Sequence, residues 1–291
     1  MPELPEVDTM VNYLARVVKN RTITSFQAEH KSFTKLFDMP GIHNVPGTQI
    51  LGVTRKAKYI LFQLDNGYFV CHNKFSGFWS YEEEPWSFDY LEFKRPISQK
   101  DVRFRIHLDA EIGDGVPGDA HNGKWLDYHD ARCLGQIKFE ETRDPATISY
   151  LAHMGPDVVV TPHTDRNFHN TWTYFHLKKA CAKTGRTIKA MLLDQKVQAG
   201  IGNIYACEAL WMAKIDPFSV ARGLSDLQIS RLYKAIYEVM KIALDHSVKY
   251  DDYINIFRQK ECPVCKGPVV RKEQNKRGTY MCDSCQAPCI N

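Results

Sequence analysis

The segment from Cys262 to Cys285 reads CPVCKGPVVRKEQNKRGTYMCDSC, and its two Cys-x-x-Cys knuckles, sixteen residues apart, decide how this end of the chain folds. Each knuckle places two thiolates on one tight turn. A tetrahedral Zn²⁺ that joins the turns closes a module too small to have a core of its own. Cys262, Cys265, Cys282 and Cys285 are therefore the expected ligands of one structural zinc ion, with Cys289 a spare thiol outside the pattern. Between the knuckles, Val269-Val270 and Thr279-Tyr280 flank Arg271, Lys272, Lys276 and Arg277, which predicts a β-hairpin with a basic tip. Such a tip is either a solvated turn or a contact to a nucleic-acid backbone or groove.

Upstream of the finger, Ser225 with Gln228 makes a capping box ahead of Ile229, Leu232, Ile236, Val239, Met240 and Ala243, so a long helix is expected there. Helices are also expected over 174–182, 187–194 and 203–213. The turn Gln198-Ala199-Gly200-Ile201-Gly202-Asn203 separates the last two, with Asn203 as a candidate cap at a phosphate-binding helix N-terminus. Asp144-Pro145, Gly155-Pro156 and Thr161-Pro162 punctuate residues 143–165 and mark an interdomain linker. Before it, residues 50–72 alternate β-branched and aromatic side chains around an Asp65-Asn66-Gly67 turn, so the N-terminal half is mainly sheet. A Gly/Pro-rich stretch over 109–122 reads as a loop. The first twenty residues carry Val7, Met10, Val11, Leu14, Val17 and Val18 at helical spacing.

That first helix is led by Pro2-Glu3. Removal of Met1 exposes a secondary amine beside a carboxylate. A terminal amine titrates near pH ~8 against ~10.4 for lysine, so at pH 7 it is roughly two hundred times more often unprotonated and nucleophilic. Composition agrees with an ordinary globular chain of 291 residues, 44% hydrophobic, with a net charge of only +4. Nine cysteines, five of them after Lys260, argue against a disulfide framework. Cys71, Cys133, Cys181 and Cys207 read as free thiols. With neither a secretory signal nor an apolar run long enough to span a bilayer, about eighteen residues, the chain is expected in an intracellular, reducing compartment, cytoplasm or nucleus.

Taken together, these motifs resemble the formamidopyrimidine-DNA glycosylase and endonuclease VIII (Fpg/Nei) family. The resemblance rests on Pro2-Glu3-Leu4-Pro5-Glu6-Val7, Arg55-Lys56-Ala57-Lys58-Tyr59, His72 with Ser76-Gly77, Gly155-Pro156-Asp157, Gly200 to Glu208, and the four cysteines. It implies an α+β multidomain fold. An N-terminal catalytic β-sandwich with a leading helix would occupy 1–145, a helix-two-turn-helix DNA-binding domain 155–250, and a four-cysteine zinc-finger hairpin 255–291. It implies a bifunctional DNA glycosylase/AP lyase of base excision repair, a monomer acting on damaged duplex or single-stranded DNA.

By that resemblance Pro2 attacks C1′ of a flipped nucleotide, Glu3 is general acid/base, and Lys58 holds a phosphate and assists β,δ-elimination. Read without the family, Lys58 is a solvated strand lysine and His72 a core or edge histidine. Glu6 and Glu208 would support the nucleophile, while His72, Asn203 and Arg277 would grip phosphates. Phe75 stands where the family often has a methionine that fills the void left by the flipped base. In the second void-filling loop, Arg132 matches, but Cys133 replaces an arginine and Leu134 an aromatic residue. Only Val248 to Glu261 is available for a loop over the base, and much of that is expected to form the strand leading into the finger. The substrate is therefore left between 8-oxoguanine or formamidopyrimidine and oxidised pyrimidines or hydantoins. The alternative is a non-catalytic binder of damaged or abasic DNA on the same scaffold.

Overall fold

The structure is a computed structural model that describes residues 2–81, 98–109, 124–168, 172–245 and 253–286. Most of the 109–122 loop, residues 248–252 and Cys289 lie outside the described residues. The chain forms two compact units, Met1–Ala152 with Thr161–Phe168, and His153–Val160 with His169–Asn291. The stretch read as a linker thus passes from the first unit to the second and back before the helices begin.

In the first unit, α1 (Leu4–Val17) starts with a capping box. Glu3 is the N-cap and accepts from the Glu6 amide, while the Glu6 carboxylate takes the Glu3 amide at 2.7 Å. Its apolar face buries Leu4, Val7, Met10, Val11 and Leu14. Two four-stranded sheets follow, all of their strand pairs antiparallel. One has the order β1 (Ile23–Ala28), β6 (Val102–Leu108), β7 (Lys124–His129), β5 (Phe78–Tyr81); the other has β2 (Ile50–Lys56), β3 (Tyr59–Leu64), β4 (Gly67–His72), β8 (Gln136–Glu140). Their inner faces interdigitate through Phe62 against Trp79 at 5.1 Å and Phe69 against Phe104 at 6.3 Å between ring centroids. Edge-to-face aromatic pairs of this kind add to area burial. The expected sandwich with a leading helix is present.

The second unit holds α3 (Tyr174–Ala182), α4 (Ile188–Leu192), α5 (Asn203–Met212) and α6 (Asp226–Leu244), followed by the hairpin β9 (Val270–Gln274) and β10 (Arg277–Met281). A short helix α2 (Ser149–Ala152) ends the first stretch of the sheet unit. Ser225 and Gln228 form the predicted capping box on α6. The hairpin turns at Asn275 and Lys276, both at positive φ (51° and 60°), as a two-residue turn with the twist of its strands requires. Residues 253–260 do not form the strand expected to lead into the finger. They are irregular because their amides are taken up elsewhere, by a side chain of α5 described below.

A buried ion pair ties the sheet unit together. Arg55 is fully buried, and its Nε donates to Asp8 Oδ1 at 2.5 Å; Thr161 Oγ1 donates to the same oxygen and accepts from Arg55 at 3.0 Å. Removing one partner of a buried pair strands the other charge, at a cost of about 3–5 kcal/mol. Asp8→Ala should therefore lower hydrogen-exchange protection in α1 and β2 while α6, in the other unit, keeps its protection; undiminished protection of α1 would contradict this.

Candidate functional site

The sheet unit gathers several of the expected site residues along the start of α1 and the ends of three strands. Pro2 and Glu3 are both buried, Glu3 completely, and the capping box fixes both glutamates as α1 begins. Glu6 is consumed by that box. Lys58 is buried in the two-residue turn between β2 and β3, where Ala57 takes a left-handed φ of 51°. A two-residue hairpin turn calls for positive φ, which a residue other than glycine reaches at a cost.

One residue on, Tyr59 pairs with His72 across the β3–β4 register, and their rings meet edge to face at 4.5 Å. His72 Nδ1 accepts the Lys74 amide at 3.0 Å, which in the neutral ring leaves the proton on Nε2 as an outward donor. Burial first, then the charges of Lys74 and Lys58, push His72 down to about 3. His72 is thus a neutral donor at physiological pH.

Past His72, Phe75 projects from a turn and is 45% exposed, and Leu134, at 48%, projects from the loop after β7. The Arg132 guanidinium lies 5.9 Å from the centre of the Phe75 ring. The sheet unit therefore presents two apolar tips and a cation side by side.

The helical unit holds Asn203, Glu208, Arg277 and the four cysteines. Gly200 takes a φ of 106°, and Gln195 braces the turn by donating to the Ile201 and Leu193 carbonyls and accepting the Gly200 amide. The expected Asn203 cap is corrected. Gly202 is the N-cap, and Asn203 is the first helical residue, its Nδ2 donating to the Gly278 carbonyl at 2.9 Å. The helix starts one residue earlier than the side chain suggested, at Gly202. Gly278 follows Arg277, so the α5 N-terminus is tied directly to the basic hairpin.

Lys189, not singled out from sequence, is fully buried and donates to Thr279 Oγ1 at 2.7 Å and to the same Gly278 carbonyl at 3.3 Å. Only its place inside an otherwise apolar helical stretch hinted at this. Glu208 is also buried and accepts from the amides of Asn255, Ile256 and Phe257 at 2.8–2.9 Å. Burial pushes its carboxyl up, against those three donors. Its visible work is to hold the chain entering the finger.

The cysteine cluster has the geometry of a metal site. All four sulfurs lie within 4.8 Å of one another, with Cys262–Cys285 at 3.9 Å and Cys265–Cys282 at 3.4 Å. A tetrahedron with metal–sulfur bonds of about 2.3 Å has edges of about 3.8 Å. Trp211 Nε1 donates to Cys262 Sγ at 3.4 Å, an outer partner of the kind that orients metal ligands. Burial opposes ionisation of Cys262, yet the amides of Cys265 and Val264 and the Trp211 indole bring it down to about 6. Burial and the neighbouring thiols push Cys285 up to about 12. Four cysteine sulfurs at this spacing could hold a metal ion.

Comparison with known proteins matches both units to one family. The model for the formamidopyrimidine-DNA glycosylase N-terminal domain matches residues 1–137, and that for the formamidopyrimidine-DNA glycosylase H2TH domain matches 165–251. Among curated relatives, the formamidopyrimidine-DNA glycosylase of Desulforamulus reducens is 30% identical over 98% of this chain and 99% of its own. That of Mycoplasma genitalium is 29% identical over 98% and 96%. The chain also resembles solved Lactococcus lactis Fpg bound non-covalently to DNA with an AP site, with TM-score 0.78 and 22% identity over 98% of this chain and 100% of that one. This last likeness shows the fold.

His129 is fully buried, its Nε2 2.8 Å from Ser80 Oγ, and burial pushes it down to about 4. Unfolded histidines take up protons near pH ~6.5. The folded rings of His129 and His72 do so only at about 4 and about 3, so stability is intact above ~6.5 and erodes as the pH falls through that window. His129→Gln should flatten the fall of the urea midpoint between pH 7 and pH 4.5; an unchanged slope would remove the buried ring as its cause.

Proposed function

The chain belongs to the formamidopyrimidine-DNA glycosylase family of DNA repair enzymes, and from that premise we propose that it also cuts the strand as an AP lyase through its N-terminal proline. With Met1 removed, the secondary amine of Pro2 attacks C1′ of the damaged nucleotide. The base departs with the electrons of its glycosidic bond; the C1′–O4′ bond then breaks, O4′ taking a proton through Glu3, and the opened sugar is left as an iminium between the proline nitrogen and C1′. Loss of a C2′ proton then expels the 3′ phosphate, and a second elimination expels the 5′ phosphate. Hydrolysis returns the free amine.

The observation that carries this reading is the fixed start of α1, where Pro2 and the completely buried Glu3 are immobilised by the Glu3–Glu6 capping box. Lys58, held on its strained turn, assists elimination and holds a phosphate. His72 donates Nε2–H to a second phosphate without carrying charge. In the helical unit, the N-terminus of α5 at Asn203 and the exposed Arg277 grip the backbone. Phe75, Arg132 and Leu134 occupy the space of the flipped nucleotide and meet the opposite strand. Glu208 acts by anchoring residues 255–257.

The cluster of Cys262, Cys265, Cys282 and Cys285 holds one structural Zn²⁺, supported by an all-thiolate donor set at tetrahedral spacing. Between the end of α6 at Leu244 and the anchored Asn255, little chain is left to close over a purine. Oxidised pyrimidines and hydantoins are accordingly substrates alongside 8-oxoguanine.

Borohydride trapping tests the reaction. Oligonucleotides with 8-oxoguanine, thymine glycol, a hydantoin or an AP site should each give a covalent adduct, and protein that retains Met1 should give none. Adducts from Met1-bearing protein would overturn the proline assignment, and none from any substrate would overturn the lyase. For the metal, intact-mass spectrometry under native conditions should find one zinc per chain. Chelation should weaken DNA binding and abolish hydrogen-exchange protection in β9 and β10; a protected hairpin in metal-free protein would count against the site.

A further inference from the structure

Asp130 is fully buried immediately after β7, in the middle of the two exposed apolar tips, and the reaction above assigns it nothing. Its carboxylate gathers four donors. Oδ2 accepts the amides of Leu134 at 2.7 Å and Gly135 at 2.6 Å; Oδ1 accepts the Arg132 amide at 3.2 Å and the Ser76 hydroxyl in a short hydrogen bond. Three of these donors belong to the loop that carries Arg132 and Leu134. The fourth belongs to the turn that carries Phe75. Ser76 Oγ in turn accepts the Arg132 amide at 3.3 Å, closing a small ring of bonds between the two segments.

The backbone of Asp130 is fixed as firmly as its side chain. Its amide donates to the Asp101 carbonyl at 2.8 Å, and its own carbonyl accepts Arg103 Nε at 2.8 Å and the Cys133 amide at 3.1 Å. A second element sets the spacing. The Tyr128 hydroxyl is wedged between the two segments so closely that a Cβ at Gly77 or at Gly135 would stand 1.9 Å from it. Neither segment can carry a side chain there. The turn and the loop are thus drawn together by one carboxylate and held apart by one phenol, and neither can shift alone.

We propose that Asp130 is a positioning residue that locks Phe75, Arg132 and Leu134 into one rigid wedge and so determines how the strand opposite a lesion is engaged. This rests on the reading that these tips enter the duplex. The energetic argument is one of preorganisation. Hydrogen bonds to a charged acceptor are worth about 1.5–3 kcal/mol each, and a loop ordered before binding does not lose that entropy on binding. A wedge that must displace a stacked base benefits directly. A neutral amide at 130 keeps one acceptor oxygen in place of two, so in either orientation at least one amide of the loop, Arg132 or the Leu134–Gly135 pair, faces N–H groups and loses its acceptor.

The test uses the full chain and a duplex with a tetrahydrofuran abasic-site analogue opposite 2-aminopurine, whose fluorescence rises when it is unstacked. Wild type should bind with a fluorescence step. Asp130→Asn should lose most of that step at saturation and bind the duplex about ten- to a hundredfold more weakly, with a smaller loss on the same analogue in a single strand. Ser76→Ala, which severs only the bridge between the two segments, should move both readouts in the same direction by less, and it decides the matter if Asp130→Asn fails to fold. Full fluorescence steps in the folded variants, or equal losses on single and double strands, would overturn the proposal, as would a wild type without the step. A wild type that shows the step yet traps nothing with borohydride would sink the lyase reading and leave the wedge standing.

Discussion

The guanidinium of Arg55 is a charge with no access to water, and the sheet unit is arranged around satisfying it. Asp8 reaches it from the second turn of α1, and Thr161 from the segment that returns to this unit. The backbone of the same residue bonds in both directions to that segment, its amide to His163 and its carbonyl to Asp165. A well-packed apolar trio would hold as firmly, since a buried pair gains little net stability over one. What it adds is register. Only one rotation of α1 and one offset of the returning segment bring oxygens to both sides of the guanidinium. The next residues along β2 are Lys56, buried with its ammonium 5.3 Å from the Phe168 ring centre, then Ala57 and Lys58. The start of α1 and the β2–β3 turn are therefore set relative to each other by a polar lock.

The helical unit uses the same device. Its finger has almost no core, and Gly278, the residue after Arg277, offers one carbonyl to both Lys189 and Asn203. Trp211 reaches a ligand sulfur, and Gln286 joins the Cys282 amide to the Ile215 carbonyl. These bonds fasten the module from beneath and leave its basic tip exposed. Apolar burial would have needed the area that the charged side chains occupy. Where a surface must stay free for a polyanion, directional bonds from buried donors substitute for hydrophobic contact.

What the sequence disclosed follows the range of the interactions. The helices at Leu4 and Asp226 were legible because periodicity and a capping box are local, and the β3–β4 and β9–β10 hairpins because a tight turn is local too. The four clustered cysteines carry their geometry in their spacing. Asn203 was misread as a cap because the helix begins one residue earlier, with Gly202 at the N-cap, and its bond to Gly278, 75 positions away, left no trace in the local sequence. Residues 253–260 were misread as partly strand because the acceptor for their amides sits on α5. Lys189 gave only the hint of its apolar neighbours and Asp130 gave none, since burial of a charged side chain is visible only once its partners are assembled. Among the site candidates, Pro2 was named by chemistry, the catalytic role of Lys58 and the phosphate contact of His72 only through the family resemblance.

A nucleophile at a chain terminus, as proposed for Pro2, poses a mechanical problem that the fold would have to solve. Terminal residues are normally the least ordered in a domain, while attack on a sugar carbon requires the amine to be placed to within a fraction of an ångström. Here the terminus leads straight into a helix whose first residues, Leu4 and Val7, are completely buried, and the capping box closes over the junction with bonds in both directions. The lock at Asp8 lies one turn further on. Order is thus imposed within a single helical turn of the amine, and the carboxylate beside it is held by the same bonds that end the disorder. A buried lysine would have required the fold to depress its pKa by burial and neighbouring charge. A terminal proline starts with a suitable amine and requires only that the chain be held still.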